Sequence, residues 1–513
     1  MPLFTKTDES TVLAYQAINN ANPFLPERVD LERSILGEAY VEVGAVRSMR
    51  PDSGETNPNY PGLLKRAEAL LEGARKKLSK ASARATAREL ECYEDLAIYT
   101  LYHRWSPRLG ELVKASADAP QTHVSAEWYE KFRADALAAL RPGQRRLPLD
   151  FEVRHLFALC YQVARSFYLI FENILGTSEA AVRLRATTWK SIFTHDIRRY
   201  QRTLYRHMAD VSTLVTGPSG TGKELVARAV GLSTYVPFDE TSHSFPTAEA
   251  ERFLPLNLSA LSPTLIESEL FGHKRGAFTG ALDARKGWFE LCPAHGAVFL
   301  DEIAETEPAI QVKLLRVLQT RQFQRIGDTE QRRFSGKLVS ATNRDLAEWM
   351  ANGRFREDLY YRICSDRIVT PSLAEQVSGS MDELEVLAQF IAERLIGVEA
   401  PNLAREVTEW VESNLGVDYA WPGNFRELEQ CVRGVLIRKE YQPEATHRVG
   451  VREELRRAFV ASEGTADRML RDYCTLVYAR TGSFEAAARC LGLDRRTVKA
   501  KLDEQLLERL RAR

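Results

Sequence analysis

The sequence predicts an α/β core in which a parallel sheet with flanking helices carries a phosphate-binding loop. A helical lid, a mostly α-helical N-terminal region and a small all-α helix-turn-helix at the C-terminus complete the predicted architecture. Short apolar runs alternate with helical patterns in residues 174–372, a glycine-rich loop follows the first run, and two helical patterns separated by a glycine lie near the C-terminus. Such alternation is typical of strands joined by crossover helices.

The composition indicates a chain of several folded units. At 513 residues it exceeds what one hydrophobic core usually organises. Hydrophobic residues make up 44% and charged residues 27%, which excludes a disordered or fibrous protein, and the 70 basic residues equal the 70 acidic ones. Seven scattered cysteines favour reduced thiols, and no signal or membrane span stands out. We therefore expect a cytoplasmic protein without membrane contact, in which any basic surface for nucleic acid is local.

Residues 1–173 show helical periodicity. One helical face is predicted to be buried and comprises Leu64, Ala67, Leu71, Ala74 and Leu78. A second stripe predicts another buried helix and comprises Val153, Leu156, Cys160, Ala164, Phe167 and Phe171. Scattered single histidines in this region predict no metal or haem site.

A phosphate-binding loop follows the apolar run at residues 212–216 and precedes a helical pattern. This context suits the loop, because its backbone N–H groups converge on phosphates at a helix N-terminus while Lys223 adds a positive charge. A chance glycine-rich turn is the alternative, and the flanking strand and helix argue against it. The predicted ATP-binding residues are Gly217, Pro218, Ser219, Gly220, Thr221, Gly222, Lys223 and Glu224.

Two carboxylates end the apolar run at residues 297–300. Glu224 stands where many phosphate loops place a hydroxyl on Mg²⁺, so the magnesium ligand must come from elsewhere. We predict that Asp301 holds Mg²⁺ through water and that Glu302 polarises the water that attacks ATP. Strands often end in solvated acids, so the prediction depends on the phosphate loop upstream.

A hexapeptide lies between these two motifs, Gly276-Ala277-Phe278-Thr279-Gly280-Ala281. Here the chain resembles the AAA+ domain of the sigma-54-dependent activators, also called bacterial enhancer-binding proteins, over about residues 174–436. The resemblance implies that the hexapeptide is a mobile loop that contacts sigma-54. Glycines at both ends permit backbone swings and Phe278 offers an apolar tip, whereas without this context Phe278 would suit a core anchor in a turn.

Further motifs of the same family follow in order. The resemblance implies that Asn257 links the catalytic glutamate to nucleotide state and that Asn343 senses the terminal phosphate. It also implies that Arg356 and Arg362 reach the ATP of a neighbouring subunit, where they would stabilise transition-state charge. Such action in trans requires a ring, usually a hexamer. Arg426, in the helical lid, would touch the nucleotide of its own chain.

Two features depart from the family's pattern. After Leu373 the family commonly has an arginine-rich stretch, whereas this chain continues Ala-Glu-Gln-Val-Ser-Gly-Ser. Extra sequence also flanks the phosphate loop at residues 194–210 and 239–252, and the sequence assigns no role to it.

The C-terminal helix–glycine–helix pattern predicts a DNA-binding module. Ser483 and Asp494 are predicted N-caps, and Gly492 forms the turn. The pattern resembles the Fis-type module of the same family, which pairs as dimers on palindromic enhancer sites, while a solvated basic helix is the alternative. The residues predicted to face DNA are Arg495, Arg496, Thr497, Lys499 and Lys501.

Together these features predict a transcription activator that hydrolyses ATP to remodel the sigma-54 RNA polymerase holoenzyme and binds enhancer DNA. Two alternatives are a DNA-binding regulator that uses ATP only to assemble, without remodelling sigma-54, and an AAA+ protein-unfolding or replication machine. The family usually carries a sensory region before the ring, but no pattern here specifies its signal. The predicted divisions are an N-terminal regulatory region 1–173, an ATPase core 174–372, a lid 373–440, a linker 441–466 and a DNA-binding module 467–513.

Overall fold

The computed structural model describes residues 2–42, 57–80, 85–120, 123–245, 248–278, 281–443 and 465–511. The chain divides into two units, Met1–Leu436 and Ile437–Arg513, which are treated separately below. Within the described ranges, no helix combines the length and the apolar character that crossing a bilayer requires.

The N-terminal part of the first unit is helical, as predicted. Its α-helices are α1 Lys6–Asn20, α2 Pro26–Leu36, α3 Tyr60–Leu78, α4 Ala87–Asp118, α5 Tyr129–Leu140 and α6 Val153–Asn173. The buried stripe of α3 begins at Leu63, whereas the predicted Leu64 is only half-buried. Leu63 lies one helical turn, four residues, before Ala67, so it stands directly beneath the next buried side chain.

Helix α6 is buried on two faces. Leu156 and Phe157 join the core of the N-terminal helices, whereas Leu159, Leu169 and Ile170 join the core that contains the sheet. The sequence predicted one apolar stripe for this helix. A helix that is apolar on opposite faces lies between two packed layers, and α6 therefore connects the N-terminal helices to the core behind it.

A parallel sheet occupies the centre of the first unit, with the strand order β2 (Phe253–Asn257), β5 (Ala297–Asp301), β8 (Lys337–Thr342), β1 (Thr213–Thr216) and β9 (Asp366–Val369). The apolar runs at residues 212–216, 297–300 and 338–341 form β1, β5 and β8, which confirms the predicted α/β class. Their residues are buried on both faces almost throughout, as expected of parallel strands covered by helices. The strands, including two short antiparallel pairs, are β1 Thr213–Thr216, β2 Phe253–Asn257, β3 Gly272–His273, β4 Arg285–Lys286, β5 Ala297–Asp301, β6 Gln322–Phe323, β7 Arg332–Arg333, β8 Lys337–Thr342 and β9 Asp366–Val369.

Helices flank this sheet and continue beyond β9 as a helical lid. The helices around the sheet are α7 Glu179–Phe193, α8 Ile197–Arg202, α9 Lys223–Leu232, α10 Pro263–Phe271, α11 Trp288–Leu291, α12 Pro308–Thr320, α13 Leu346–Ala351 and α14 Glu357–Ile363. The later helices are α15 Leu373–Val377, α16 Met381–Ile396, α17 Ala400–Asn414 and α18 Asn424–Arg438.

The second unit contains a short helical bundle. Its helices are α19 Ala466–Thr481, α20 Phe484–Leu491, α21 Arg495–Ala500 and α22 Glu504–Arg511. Gly492 ends α20 with a φ of +65°, which suits glycine at a helix C-terminus. The Asp494 side chain caps α21 by accepting the Thr497 N–H at 2.9 Å, whereas Ser483 occupies the N-cap of α20 without a side-chain cap bond.

Candidate functional site

The phosphate loop joins the carboxyl end of β1 to the first turn of α9. Gly217, Gly220 and Gly222 have φ values of +152°, +77° and +82°, a region that favours glycine. A Cβ atom on Gly217 would also lie 2.1 Å from Thr370 Oγ1, and one on Gly220 would lie 2.5 Å from the Gly423 carbonyl oxygen. Backbone geometry and close neighbours therefore both require glycine in this loop.

The Lys223 ammonium is folded back into the loop. It donates to the carbonyl oxygens of Gly217 and Pro218 at 3.1 and 3.0 Å. Burial lowers the pKa of Lys223, and the carboxylates of Glu302 and Asp301 oppose that shift. A phosphate group would offer this ammonium a stronger, charge-assisted partner than two neutral carbonyls, so the loop is suited to an anion.

Asp301 and Glu302 end β5 close to Lys223. Asp301 Oδ1 accepts the Glu302 N–H at 3.0 Å, and the Asn343 N–H donates to the Glu302 carboxylate. Burial, and secondarily the charge of Asp301, raises the pKa of Glu302. Glu302 Oε2 is buried and has no hydrogen-bond partner among the described residues. Buried carboxylate oxygens are normally bonded, so this atom marks a place for a water molecule.

Two of the predicted site residues are asparagines at the carboxyl ends of β2 and β8. Asn257, the last residue of β2, pairs in register with Asp301, but its Oδ1 accepts from the N–H and hydroxyl of Ser259 at 3.0 and 2.8 Å. The link between Asn257 and Glu302 stays a prediction. Asn343 follows β8 with an exposed side chain, and it reaches Glu302 through its backbone.

The two arginines predicted to act across a subunit boundary lie at opposite ends of α14. Arg356 is the N-cap residue and Arg362 lies in the last turn, and both are exposed. Arg356 forms an ion pair with Asp358 at 2.6 Å. Tyr361, beside Arg362, is 67% exposed, so this end of α14 offers a ring as well as a charge to solvent.

The helical lid contacts the phosphate loop through the start of α18. Arg426 Nη1 donates to Ser219 Oγ at 3.2 Å, and Asn424 Nδ2 donates to the Ser219 carbonyl at 2.9 Å. Asn424 Oδ1 also accepts the Leu373 N–H at 2.8 Å. The sequence analysis did not single out Asn424. Its φ of +53° places it in the left-handed region that asparagine tolerates, and the adjacent Gly423 was the available signal.

An apolar cavity of about 340 Å³ opens beside the phosphate loop and is suited to a planar base. Its walls come from the end of α6, the phosphate loop, α9 and the lid. Its apolar lining residues include Ile174, Leu175, Leu225, Leu387, Phe390, Ile391 and Phe425. Its position beside a loop suited to phosphates fits a nucleotide, with the base in the cavity.

Two side chains hold the wall between α6 and α7. Arg185, fully buried, donates from Nε to the Ile174 carbonyl at 3.0 Å and from Nη2 to the Gly176 carbonyl. Glu383 of the lid accepts the Thr177 N–H at 2.7 Å and the Thr177 hydroxyl. The lid and the N-terminal helices therefore meet at one wall of the nucleotide cavity.

The hexapeptide lies on a stem formed by β3 and β4. Thr279 and Gly280 lie outside the described residues. The Gly276 N–H donates to the Ala281 carbonyl at 2.8 Å, and the half-buried Phe278 ring lies 5.0 Å from the ring of His273. The Phe278 ring therefore packs against the stem.

The segment before the phosphate loop, residues 194–210, contacts the N-terminal helices and is named the first clamp segment. Arg198 within it donates to Asp95 at 2.7 Å and to Glu94 at 2.8 Å, both on α4. The side chains of Glu94 and Asp95 are 2% and 7% exposed. This buried ion-pair cluster attaches α8 to the N-terminal helices.

The segment after the phosphate loop, residues 239–252, is named the second clamp segment. Its His243 carbonyl accepts the Ala126 N–H at 2.7 Å, and the Phe245 ring stacks on Tyr161 of α6 at 4.1 Å. The sequence assigned no role to either clamp segment. In the structure both attach the N-terminal helices to the core, one on each side of the phosphate loop in sequence.

The second unit presents a basic helix, α21. Thr497 donates its hydroxyl to Asp494 at the cap, and Lys501 pairs with Asp467 of α19, so both stabilise the module itself. The remaining predicted DNA-facing side chains are exposed: Arg495, Arg496 and Lys499.

Residues 192–369 match the family model of the sigma-54 interaction domain. The chain is 37% identical over 302 residues to a Nif-specific regulatory protein of Klebsiella pneumoniae, which covers 57% of this chain and 54% of the relative. It is 42% identical over 231 residues to the Nif-specific regulatory protein of Azotobacter vinelandii, covering 45% and 40%. Transcriptional regulatory protein ZraR of Klebsiella oxytoca is 36% identical over 304 residues, covering 57% and 63%.

The chain thus spans about half the length of the curated relatives it matches. Among solved structures, a crystal structure of NtrX from Brucella abortus in complex with ATP has a TM-score of 0.40 and 24% identity. That match covers 73% of this chain and 80% of NtrX.

Proposed function

We propose that this chain is an ATP-hydrolysing transcription activator, because residues 192–369 match the family model of the sigma-54 interaction domain. It would remodel the sigma-54 RNA polymerase holoenzyme to allow open-complex formation and would bind enhancer DNA. The observation that carries the proposal is the position of Glu302 beside the Lys223 ammonium of the glycine loop, with a buried Oε2 that has no partner among the described residues.

The site's own residues account for binding and water activation. Phosphates would replace the loop carbonyls as partners of Lys223, and the base would lie in the 340 Å³ cavity beside Leu387 and Phe425. Mg²⁺, held through water by Asp301, would supply positive charge to the phosphates. Glu302 would accept a hydrogen bond from the attacking water at Oε2, which accepts no hydrogen bond from the part of the chain that the structure describes.

Movement would reach sigma-54 through the hexapeptide stem. The stem is tied to the neighbouring loop, since Lys274 pairs with Asp328 at 2.8 Å and donates its N–H to the Ile326 carbonyl at 3.1 Å. A shift at the nucleotide could therefore move both loops together. The Phe278 ring, which is half-buried beside His273 in this structure, would then move outward and press on sigma-54.

Assembly is part of the same proposal. Arg356 and Arg362 are exposed on α14, where they could reach the nucleotide of a neighbouring subunit in a ring, usually a hexamer. The second unit would bind enhancer DNA as a dimer through the exposed face of α21.

Two substitutions test the proposal. In Glu302→Gln we expect fluorescent ATP to bind normally while ATP turnover falls on the order of a hundredfold or more. Glu305→Gln is the matched control, because Glu305 lies three residues away and its carboxylate pairs with Arg344 at 3.0 Å. Turnover that survives Glu302→Gln would contradict the ATPase assignment.

The second substitution is Thr279→Ala in the hexapeptide. We expect ATP turnover to persist while promoter melting by sigma-54 holoenzyme is lost, since the nucleotide site is untouched. Open-complex assays with permanganate footprinting measure the effect. Normal melting, or activation that does not require sigma-54, would favour a DNA-binding regulator that does not remodel the polymerase.

A further inference from the structure

A second cavity, of about 770 Å³, lies in the first unit and shares no lining residue with the nucleotide cavity. Its walls are the segment that leads into α6, the first clamp segment and the loop that follows α9. The proposed function uses none of these walls. Ligand cavities in proteins commonly measure about 300–1,000 Å³, so the space suits a small organic molecule.

One wall of this cavity is a rigid aromatic surface around His155. The His155 ring nitrogens contact the Tyr235 hydroxyl at 2.8 Å and the Gln201 carbonyl at 2.9 Å. The rings of Tyr205, Tyr235 and Phe151 lie 4.3, 5.3 and 5.4 Å from the His155 ring. Burial lowers the pKa of His155, so the imidazole is neutral at physiological pH. Aromatic faces held in this way favour stacking with a planar ring.

Arginines supply positive charge to another part of the cavity lining. Its two carboxylates, Asp150 and Glu152, are each paired with an arginine, at 3.7 and 2.6 Å. Arg202 and Arg206 form no ion pair with any residue in the described ranges, and Arg206 donates from Nε to the Tyr205 hydroxyl at 2.7 Å. Two guanidinium groups without a carboxylate therefore border the aromatic wall, an arrangement that favours an anion.

We propose that this cavity binds a small aromatic anion. Its ring would stack against the wall formed by His155, Tyr205 and Tyr235, and its carboxylate or phosphate would accept hydrogen bonds from Arg202 and Arg206.

The cavity walls are tied to both ends of the proposed ATPase machinery. Lys337, the buried first residue of β8, donates to the carbonyl of Met208, which lines the cavity, and to the carbonyl of Val211, three residues further along the chain. The far end of β8 leads to Asn343. Tyr235 follows α9, whose first residue is Lys223. A bound anion would therefore change the ATP turnover rate, and this regulatory part rests on the proposed function.

The binding test uses the full chain with saturating ADP and the fluorescent aromatic anion 1-anilinonaphthalene-8-sulfonate, displaced by benzoate. We expect the Arg202→Gln/Arg206→Gln double variant to weaken benzoate binding about tenfold or more, because two charge-assisted hydrogen bonds are lost. The control is Arg405→Gln, an exposed arginine of α17 that lies outside both cavities. Equal benzoate affinity in the double variant and the wild type would overturn the proposal.

A second variant, Ala294→Trp, fills the cavity from its exposed rim and leaves the buried core intact. We expect it to abolish benzoate displacement while the thermal stability stays unchanged. Benzoate binding that survives this substitution would overturn the proposed site. Because binding is measured without ATP turnover, a chain that binds benzoate but hydrolyses no ATP would contradict the proposed function and leave the site supported.

Discussion

Arg185 positions the wall of the nucleotide cavity from behind. Its guanidinium donates to the carbonyls of Ile174 and Gly176 and lies 5.1 Å over the ring of Phe171, in the last turn of α6. A buried cation bound by backbone carbonyls fixes a loop that has no regular structure of its own. The nucleotide base would therefore meet a wall that is already formed.

We expect Arg185→Met to lower the free energy of unfolding by about 3 kcal/mol, because two buried carbonyls lose their donor. The KM for ATP should rise as the wall loosens. Arg183→Met is the control, since Arg183 lies on the same helix with a side chain that is 72% exposed. Urea titration and ATP kinetics measure both effects, and an unchanged KM would show that Arg185 does not position the wall.

The residues around the nucleotide differ in how far the sequence could predict them. Lys223 and Glu302 lie at fixed places in contiguous motifs, so their spacing was informative. Leu387 and Phe425 belong to helices with ordinary apolar periodicity, and only the folded chain brings them to one cavity. The bond between Asn257 and Ser259 also lay beyond prediction, because a side-chain rotamer depends on its neighbours.

At the scale of elements, the clamp segments join helices that are far apart in sequence. Strands β1, β5 and β8 were predictable because each contains a short apolar run bounded by loops, whereas β2 and β9 were not predicted. The burial of the second face of α6 could not be predicted, because the periodicity of one segment does not show that another layer covers its opposite side. The contacts of residues 194–210 and 239–252 were equally hidden, because their partners lie elsewhere in the chain.

The ion-pair cluster between α4 and α8 should depend on pH. Burial raises the pKa of Glu94 from 4.5 to about 7, despite the opposing effects of the Leu149 N–H and Arg198. A raised folded-state pKa contributes stability below the unfolded value, and this contribution is lost as pH rises through about 7. We expect the free energy of unfolding to carry this falling component between pH 4.5 and 7.

Glu94→Gln should remove that component and flatten the pH profile, as measured by urea unfolding at several pH values. Glu91→Gln, an exposed site on the same helix, should leave the profile as it is. An identical slope in the Glu94 and Glu91 variants would argue against a perturbed Glu94.

The second clamp segment depends on one aromatic side chain. Phe245 is 3% exposed and stacks on Tyr161, so Phe245→Ala should cost about 3 kcal/mol of stability through the cavity it leaves. We expect limited proteolysis to cut residues 239–252 faster in this variant. Glu251→Gln, an exposed change in the same segment, should not alter the cleavage rate.

At the scale of the whole molecule, the two units should respond separately to substitution. Arg496 is exposed on α21, and Arg496→Gln should weaken enhancer binding. The slope of the logarithm of the binding constant against the logarithm of the salt concentration should fall in magnitude by about one, as expected for one lost phosphate contact. ATP turnover should be unchanged. Arg489→Gln, on the neighbouring α20, is the control, and gel-shift titrations at several salt concentrations provide the measurement. Equal affinities for all three proteins would remove α21 from the DNA interface.

Helix α6 has a consequence for how a signal could act. The two faces of α6 belong to different hydrophobic cores. Separating the N-terminal helices from the sheet would therefore expose apolar side chains to water on both of the separated surfaces. We therefore do not expect the N-terminal helices to dissociate from the core as a separate domain. A stimulus would instead rotate or shift α6 slightly while both of its faces stay buried. The loop after Asn173, which lines the nucleotide cavity, would carry that movement to the nucleotide.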